Sequence, residues 1–196
     1  MNPNAAHEPI IKIENLYKKY GDNVVLDGFN LNLYQGENLV IMGKSGSGKS
    51  VMIKCLIGLE IPDSGTIEIM SQKLEHLSMK ALDEIRADIG FLFQGSALYD
   101  SMTVRENLEF PLRRHISKFG NVKDTLPLVE EALQNVGLKN VIDLMPNELS
   151  GGMKRRVALA RTLILKPKII IYDEPTTGLD PITSKEIILL MKSVQE

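Results

Sequence analysis

The sequence lacks the features that mark secreted and membrane-spanning proteins. Its one cysteine, Cys55, excludes a disulfide within the chain and agrees with a reducing, cytosolic compartment. No apolar run reaches the roughly 18 residues that a membrane span requires. The polar stretch 1–9 also has no apolar core of the kind found in signal peptides. A role at a membrane would therefore require docking onto a separate membrane subunit.

An excess of charge of either sign is also missing. The 196 residues carry a net charge of −2, with 24% charged and 43% hydrophobic residues, as in an ordinary globular protein. This balance gives no electrostatic reason to expect nucleic acid or a strongly anionic surface as the main partner. The length is sufficient for one domain, 1–196, with a substantial hydrophobic core.

Short apolar runs bounded by turn residues predict strands in two parts of the chain. The runs are Asn38–Met42, Thr66–Met70, Ile89–Phe93 and Lys168–Tyr172. Continuous apolar runs suit strands that are covered on both faces, as in a parallel sheet. Alternating residues within Ile10–Leu33 predict antiparallel strands at one edge of that sheet.

Helical patterns fill the chain between these runs. The predicted helices are Lys49–Leu59, Thr103–Phe110 stopped by Pro111, Asp124–Val136 ended by Gly137, Ser150–Leu165, and a last helix capped by Asp180. The strands cluster at about 10–93 and 167–196, and about 94–166 is mainly helical. The predicted fold is α/β: a nucleotide-binding core with a mostly parallel sheet and antiparallel edge strands, and an inserted helical subdomain.

A glycine-rich loop gives the strongest chemical signal. It reads Gly43, Lys44, Ser45, Gly46, Ser47, Gly48, Lys49, Ser50 and matches the P-loop pattern at every fixed position. Its glycines let successive N–H groups face one anion, and the helix start adds its positive dipole end. Lys49 is predicted to reach the β- and γ-phosphates of ATP, and Ser50 to bind Mg²⁺. The position between a predicted strand and a predicted helix argues against a flexible linker, so the core is predicted to be of the P-loop NTPase type.

Two acids follow the last predicted strand. At the carboxyl end of a parallel strand beside a P-loop, Asp173 can organise Mg²⁺ and its waters. Glu174 can polarise the attacking water as a general base. The alternative is a strand that ends in a solvated acidic turn, and the P-loop favours the catalytic interpretation.

A second helix start has the features of an anion site. Ser150 stands at the cap position, and Gly151 and Gly152 expose backbone N–H groups. Two chains facing head to tail would use such a site, each ATP lying between the P-loop of one and this turn of the other. An ordinary capped helix is the alternative on local physics alone. The basic run Lys154–Arg156 is predicted to be a solvated helix face.

The P-loop, the Leu149–Met153 segment and the acidic strand end, in this order, resemble the ATP-binding-cassette (ABC) family from about Ile10 onward. The resemblance implies ATP hydrolysis and assigns further residues one by one. Tyr20 would stack on adenine, with Tyr17 as its competitor. Gln94 would contact Mg²⁺ or water as a catalytic residue. Asp180 would act across the dimer interface, and its role as a helix cap can hold simultaneously.

Four segments carry a narrower resemblance to the ATPases of Mla-type, Mce-associated phospholipid transport systems. They are 94–104, 111–115, 144–153 and 180–183. This likeness implies an ATPase that drives phospholipid transport from the cytoplasmic face of the inner membrane, with a permease, a second copy of the chain and an Mce-type protein as partners. The alternatives are an importer of amino acids or other small solutes, a soluble ABC protein acting on ribosomes or DNA, and a regulatory module without turnover.

Two further expectations concern docking and the end of the chain. The apolar loop residues Leu98 and Tyr99 place the predicted permease contact at Gln94–Met102. The resemblance implies a switch histidine on a further strand beyond Glu174. The sequence ends at Glu196 within a helical pattern, so we expect a cassette whose C-terminal part is missing.

Overall fold

The computed structural model describes residues 8–119 and 122–194. Within these ranges the chain forms helices and sheets, which confirms the predicted α/β class. It divides into two compact units, and the division falls between Arg86 and Ala87. The sequence predicts no signal peptide in segment 1–9, and most of that segment lies outside the described residues. No helix in the described ranges is both long and apolar enough to cross a bilayer.

The first unit is built on an antiparallel sheet of four strands, β1 Ile11–Tyr20, β2 Asn23–Leu33, β3 Ser64–Ile69 and β4 Gln72–Lys73. Their order in the sheet is β2-β1-β3-β4. Alternate residues of β1 are buried, among them Ile11 and Ile13, so the period of two gives the sheet one core face. The antiparallel strands predicted in Ile10–Leu33 are confirmed.

Two helices complete this unit, α1 Lys49–Leu56 and α2 Met79–Ala87, with a 3₁₀ turn at Leu74–His76. The first helix ends earlier than predicted because Gly58, with φ +67°, turns the chain and donates to the Cys55 carbonyl at 3.0 Å. Cys55 itself is buried.

The predicted strand Asn38–Met42 is wrong. These residues pair with no strand in the described part of the chain, and Val40 and Met42 are 77% and 89% exposed. An apolar run supplies side chains suited to a strand. The strand itself exists only when a neighbour completes its backbone hydrogen bonds.

The second unit carries the parallel part of the structure. Strands β5 Ile89–Leu92 and β6 Ile169–Tyr172 pair in parallel from Ile89–Ile169 to Leu92–Tyr172. Around them lie α3 Val104–Arg114, α4 Leu126–Asn135, α5 Gly151–Leu163 and α6 Pro181–Ser193, with 3₁₀ turns at Ile116–Phe119 and Pro146–Glu148. Their core is a cluster of aliphatic side chains, including Leu108, Val129 and Leu159.

The predicted helix ends are confirmed where a local hydrogen bond defines them. Thr103 and Glu106 form a reciprocal capping box at the start of α3. Asp180 caps α6 through the N–H groups of Ile182 and Thr183, both at 3.0 Å. Gly137, with φ +71°, closes α4.

Pro111 does not stop α3, contrary to the prediction. The helix continues through Arg114, because proline removes an N–H group but still accepts: the Pro111 carbonyl receives the His115 N–H at 3.2 Å. Leu112, fully buried, packs the final turn into the core.

Candidate functional site

In the first unit, the P-loop forms a turn whose shape depends on its glycines. Gly48 has φ +88°, and a Cβ atom there would lie 2.7 Å from the Val25 carbonyl oxygen. A Cβ on Gly43 would lie 2.5 Å from Ser47 Oγ. A larger residue would therefore fill the cradle or push its backbone away.

The N-terminus of α1 is open to an anion. Gly48 caps it without a side-chain hydrogen bond, and its first turn contains no acidic residue. Lys49 Nζ donates to the carbonyls of Gly43 and Lys44 at 2.7 and 3.0 Å, so its ammonium lies over the loop that it is predicted to serve. Ser50 follows on the exposed side of the helix start. These donors and this concave backbone fit the phosphates of ATP.

Tyr20 is the last residue of β1 and is 47% exposed. The Lys18 ammonium lies 5.3 Å from the centroid of the ring, within cation–π range, and is itself held by Glu60 at 3.1 Å and the Ile61 carbonyl at 2.7 Å. The competitor Tyr17 is only partly exposed. A supported and exposed ring suits stacking on adenine, and this assignment stays a prediction.

In the second unit, the carboxyl ends of β5 and β6 bring Gln94 and Glu174 together. Gln94 Nε2 donates to Glu174 Oε2 at 2.9 Å across 80 residues of sequence. Thr177 Oγ1 donates to the same oxygen at 3.0 Å. The second carboxylate oxygen, Oε1, accepts no hydrogen bond within the described residues, which leaves it available to a water.

Asp173 lies next to this pair. Its N–H donates to the Leu92 carbonyl at 3.0 Å and so extends the β5–β6 ladder. Its carboxylate is half-buried and makes no hydrogen bond or ion pair among the described residues. An uncommitted carboxylate at the end of a parallel strand fits a hard divalent cation such as Mg²⁺.

Glu174 has a left-handed backbone with φ +46°, which is unfavourable for a residue with a Cβ atom. Its carbonyl accepts a hydrogen bond from Arg155 at 2.9 Å. Arg155 is buried, so the prediction that Lys154–Arg156 forms a solvated face is wrong for this residue. Arg155 also donates to the Phe93 carbonyl at 2.7 Å. The helical pattern of α5 did not predict this burial, because both acceptors are backbone atoms distant in sequence.

The loop after Gln94 is conformationally unusual. Gly95, Ser96 and Ala97 all have positive φ, at 78°, 69° and 48°. Arg161 donates to the Ser96 carbonyl at 3.1 Å and holds this turn in place.

Sequence reasoning also missed Asn107, a fully buried polar side chain in α3. Its Nδ2 donates to the carbonyls of Tyr99, Met102 and Thr103, and its Oδ1 accepts the Tyr99 N–H at 2.8 Å. This one side chain fixes the segment that leads from the loop into α3. The sequence feature that could have identified Asn107 is an asparagine on the apolar side of a predicted helix.

The Ser150 turn is built as predicted at the level of the cap. Ser150 Oγ accepts the Met153 N–H at 3.2 Å. A Cβ on Gly152 would lie 3.0 Å from the Thr183 methyl group, so a larger residue there would require the Thr183 side chain to shift. The capped-helix interpretation is therefore correct, and a role in binding a nucleotide on a second chain stays a prediction.

A groove of about 420 Å³ runs beside the Gln94 loop. Its rim carries Phe93, Tyr99 and Phe110, each more than 40% exposed. The Tyr99 ring lies 5.0 Å from that of Phe110 and 5.8 Å from the Arg161 guanidinium carbon. Leu98, in contrast, packs against the core. A charged residue at position 98 would therefore destabilise the fold and would not report on a docking surface.

Comparisons of the whole chain with known proteins point to one protein family. The sequence profile of the ABC transporter family matches residues 26–177. The intermembrane phospholipid transport system ATP-binding protein MlaF of Haemophilus influenzae is 40% identical over 97% of this chain and 71% of its own length. The methionine import ATP-binding protein MetN of Clostridium tetani is 38% identical over 95% of this chain, which spans only 58% of that protein.

The structural comparison agrees. The ATP-binding cassette MJ0796, in a dimeric post-hydrolysis state bound to ADP and phosphate, superposes with a TM-score of 0.83 and 37% identity. The superposition covers 95% of this chain and 83% of that one.

Proposed function

The chain belongs to the ABC transporter family and is an ATP-binding, ATP-hydrolysing cassette, and from this premise we propose that it drives phospholipid transport through a separate membrane permease. The observation that supports the chemistry is the Gln94–Glu174 hydrogen bond at the ends of β5 and β6. The support for the cargo is the likeness to MlaF over nearly the whole chain.

In the proposed reaction, Glu174 is the general base. Gln94 and Thr177 hold one of its oxygens, so the other is oriented toward the attacking water. Lys49 and the P-loop amides bind the phosphates, and Tyr20 stacks on adenine. Ser50, Gln94 and Asp173 are each proposed as a ligand of Mg²⁺, which would supply positive charge to the phosphate oxygens.

The Ser150 turn and Asp180 are proposed to act on a second copy of the chain. The dimeric form of MJ0796 supports this arrangement. We expect Glu174→Gln to bind ATP without hydrolysing it, so that dimers accumulate with Mg-ATP in size-exclusion chromatography. A monomeric elution at every ATP concentration would contradict the two-chain site.

The aromatic groove beside the Gln94 loop is the proposed contact for the permease, on the cytoplasmic side of the inner membrane. Exposed Tyr99 offers the point at which to test it. Tyr99→Asp should abolish coupled transport and leave the basal ATPase of the isolated chain unchanged. Met79→Asp, a matched change at an exposed apolar residue of the first unit, should leave both unaffected. Normal transport by Tyr99→Asp would place the contact elsewhere.

The cargo is tested by purifying the native complex with its membrane partners and identifying the bound molecule by mass spectrometry. Co-purified phospholipid, a permease and an Mce-type protein support the proposal. ATPase activity of the reconstituted complex should then rise with added phospholipid.

A second candidate is a small-solute importer, because MetN proteins are nearly as similar over the same residues. In that case the complex would contain no lipid-binding subunit. Its ATPase would respond to an amino acid and its binding protein, and phospholipid would have no effect.

A further inference from the structure

Arg155 occupies a position that the chemistry described so far does not use. It is carried by α5, shortly after the cap residue Ser150, and only 2% of its surface is exposed. Its guanidinium donates to the Phe93 carbonyl at 2.7 Å and to the Glu174 carbonyl at 2.9 Å. The first acceptor directly precedes Gln94, and the second belongs to Glu174 itself.

The guanidinium links the two chains of backbone just beyond the last β5–β6 hydrogen bond. The last backbone hydrogen bond between the strand ends runs from the Asp173 N–H to the Leu92 carbonyl at 3.0 Å. One residue further along each strand, Phe93 and Glu174 share the Arg155 side chain instead of a backbone bond. Arg155 therefore sets the spacing of the two ends that carry the hydrolytic pair.

Packing alone does not require a cation here. No carboxylate pairs with Arg155 among the described residues, and burial lowers the pKa of its guanidinium. A buried charge held only by carbonyls costs free energy that an apolar side chain of similar size would avoid. What arginine adds is a planar fork that reaches two acceptors simultaneously, which the single ammonium of lysine does not reproduce.

We propose that Arg155 is a positioning residue that couples the Ser150–Met153 turn to the Gln94–Glu174 pair. The inference rests on the proposed role of Glu174 as general base. Helix α5 is continuous from Gly151 to Leu163, so a shift of its first turn moves Arg155 with it. Through the two carbonyls, engagement of that turn aligns Glu174 with the attacking water.

The test compares Arg155→Met and Arg155→Lys with the parent chain in steady-state ATPase assays. We expect kcat to fall by about 30- to 100-fold, the range that a misplacement of about 1 Å produces, with KM for ATP changed by less than about twofold. Melting curves establish the folded fraction of each variant. If Arg155→Met does not fold, Arg155→Lys and Arg155→Gln provide the same measurement.

Arg156→Met is the matched control. Arg156 stands next in the same helix and also makes two guanidinium bonds, to the Val136 carbonyl at 2.8 Å and to Glu186 at 2.9 Å. Among the described residues, neither partner is hydrogen-bonded to Gln94 or Glu174. An equal loss of kcat in Arg156→Met would show a general effect on α5 and overturn the proposal.

A double-mutant cycle with Glu174→Gln separates positioning from stability. If Arg155 acts through Glu174, Arg155→Met has no further effect on the residual turnover once the base is gone. Additive losses would overturn the proposal. If Glu174→Gln alone retains normal turnover, the proposed function fails instead, so the two failures are distinguishable.

Discussion

The two units of this chain hold their functional residues by different means. In the first unit, the P-loop depends on backbone conformation: Gly48 at φ +88° and an uncapped helix start create the site within eight consecutive residues. In the second unit, hydrogen bonds between side chains distant in sequence hold the functional residues, as between Gln94 and Glu174. A site made of consecutive residues can be predicted from the sequence. A site made of residues distant in sequence is identified only once the fold is known.

The largest expected effect is on nucleotide binding by the first unit. Lys49→Ala removes the ammonium that lies over the loop, and charge-assisted hydrogen bonds contribute about 1.5–3 kcal/mol each. With two or three such bonds to phosphate lost, we expect no ATP binding detectable by calorimetry at micromolar concentrations. Lys54→Ala, a change at an exposed lysine in the last turn of α1 and outside the loop, is the control and should bind nearly as the parent does. Parent-like affinity in Lys49→Ala would refute the P-loop assignment.

A pair of glycine substitutions tests whether backbone shape governs this site. Gly48→Ala must place a Cβ 2.7 Å from the Val25 carbonyl, so the loop has to move. Gly46 has a similar φ of +78°, but the space around a new methyl group there is open. Gly46→Ala therefore adds only the cost of a left-handed backbone for alanine, about 1–2 kcal/mol. We expect the first change to weaken ATP binding at least tenfold more than the second. Equal affinities would show that the close approach does not matter.

A smaller effect concerns the network around Asn107 in the second unit. Asn107→Leu removes the side-chain bonds to the 99–103 segment. It leaves the Met102 carbonyl and the Tyr99 N–H without a partner among the described residues, because the Tyr99 and Thr103 carbonyls keep backbone donors. Unsatisfied buried groups cost about 1–3 kcal/mol, so urea denaturation should show a loss of that size. Asn135→Leu, at the end of α4, is the control and should change stability by less than about 0.5 kcal/mol. A stability loss no larger than that of the control would mean that water replaces Asn107.

The last expected effect is a dependence of stability on pH, which is confined to acidic solution. Burial alone would raise the pKa of Glu109, but hydrogen bonds from Arg105, Arg113 and Thr125 outweigh it and lower the pKa from 4.5 to about 2. Because the folded value is depressed, this carboxylate stabilises the fold fully above pH 4.5, and the contribution disappears as the pH falls toward 2. The loss is on the order of 2 kcal/mol.

Urea denaturation between pH 6 and pH 2.5 measures this loss, with Glu109→Gln as the reference. The variant should be less stable at pH 6 and show a shallower decline with acidification. Parallel pH curves for both proteins would show that another group is responsible.

Sequence reasoning succeeded where a structure is defined by neighbouring residues. The caps at Thr103, Ser150 and Asp180 were predicted because each hydroxyl or carboxylate bonds to an N–H two or three residues away. It failed for Asn38–Met42, since strand formation depends on a pairing partner that the run itself does not specify. It also failed for Pro111, whose effect depends on the packing of the following turn.

The functional residues divide in the same way. The P-loop was predicted from its own local pattern, and the acids at 173 and 174 from the end of an apolar strand together with the presence of the P-loop. Gln94 was assigned only through resemblance to a family, and no local pattern connects it to a carboxylate 80 residues away. Arg155 was misassigned because an arginine on a helix gives no indication that two distant carbonyls bury it.

The central claim is that ATP binding and ATP cleavage depend on different residues, with Glu174 required only for cleavage. The most direct test is a single-turnover experiment in which labelled ATP is first bound to the chain and cleavage is then started with Mg²⁺. The parent should release labelled phosphate, whereas Glu174→Gln should retain the bound ATP and cleave it about 10²- to 10⁴-fold more slowly. Cleavage by Glu174→Gln at the parent rate would contradict the account.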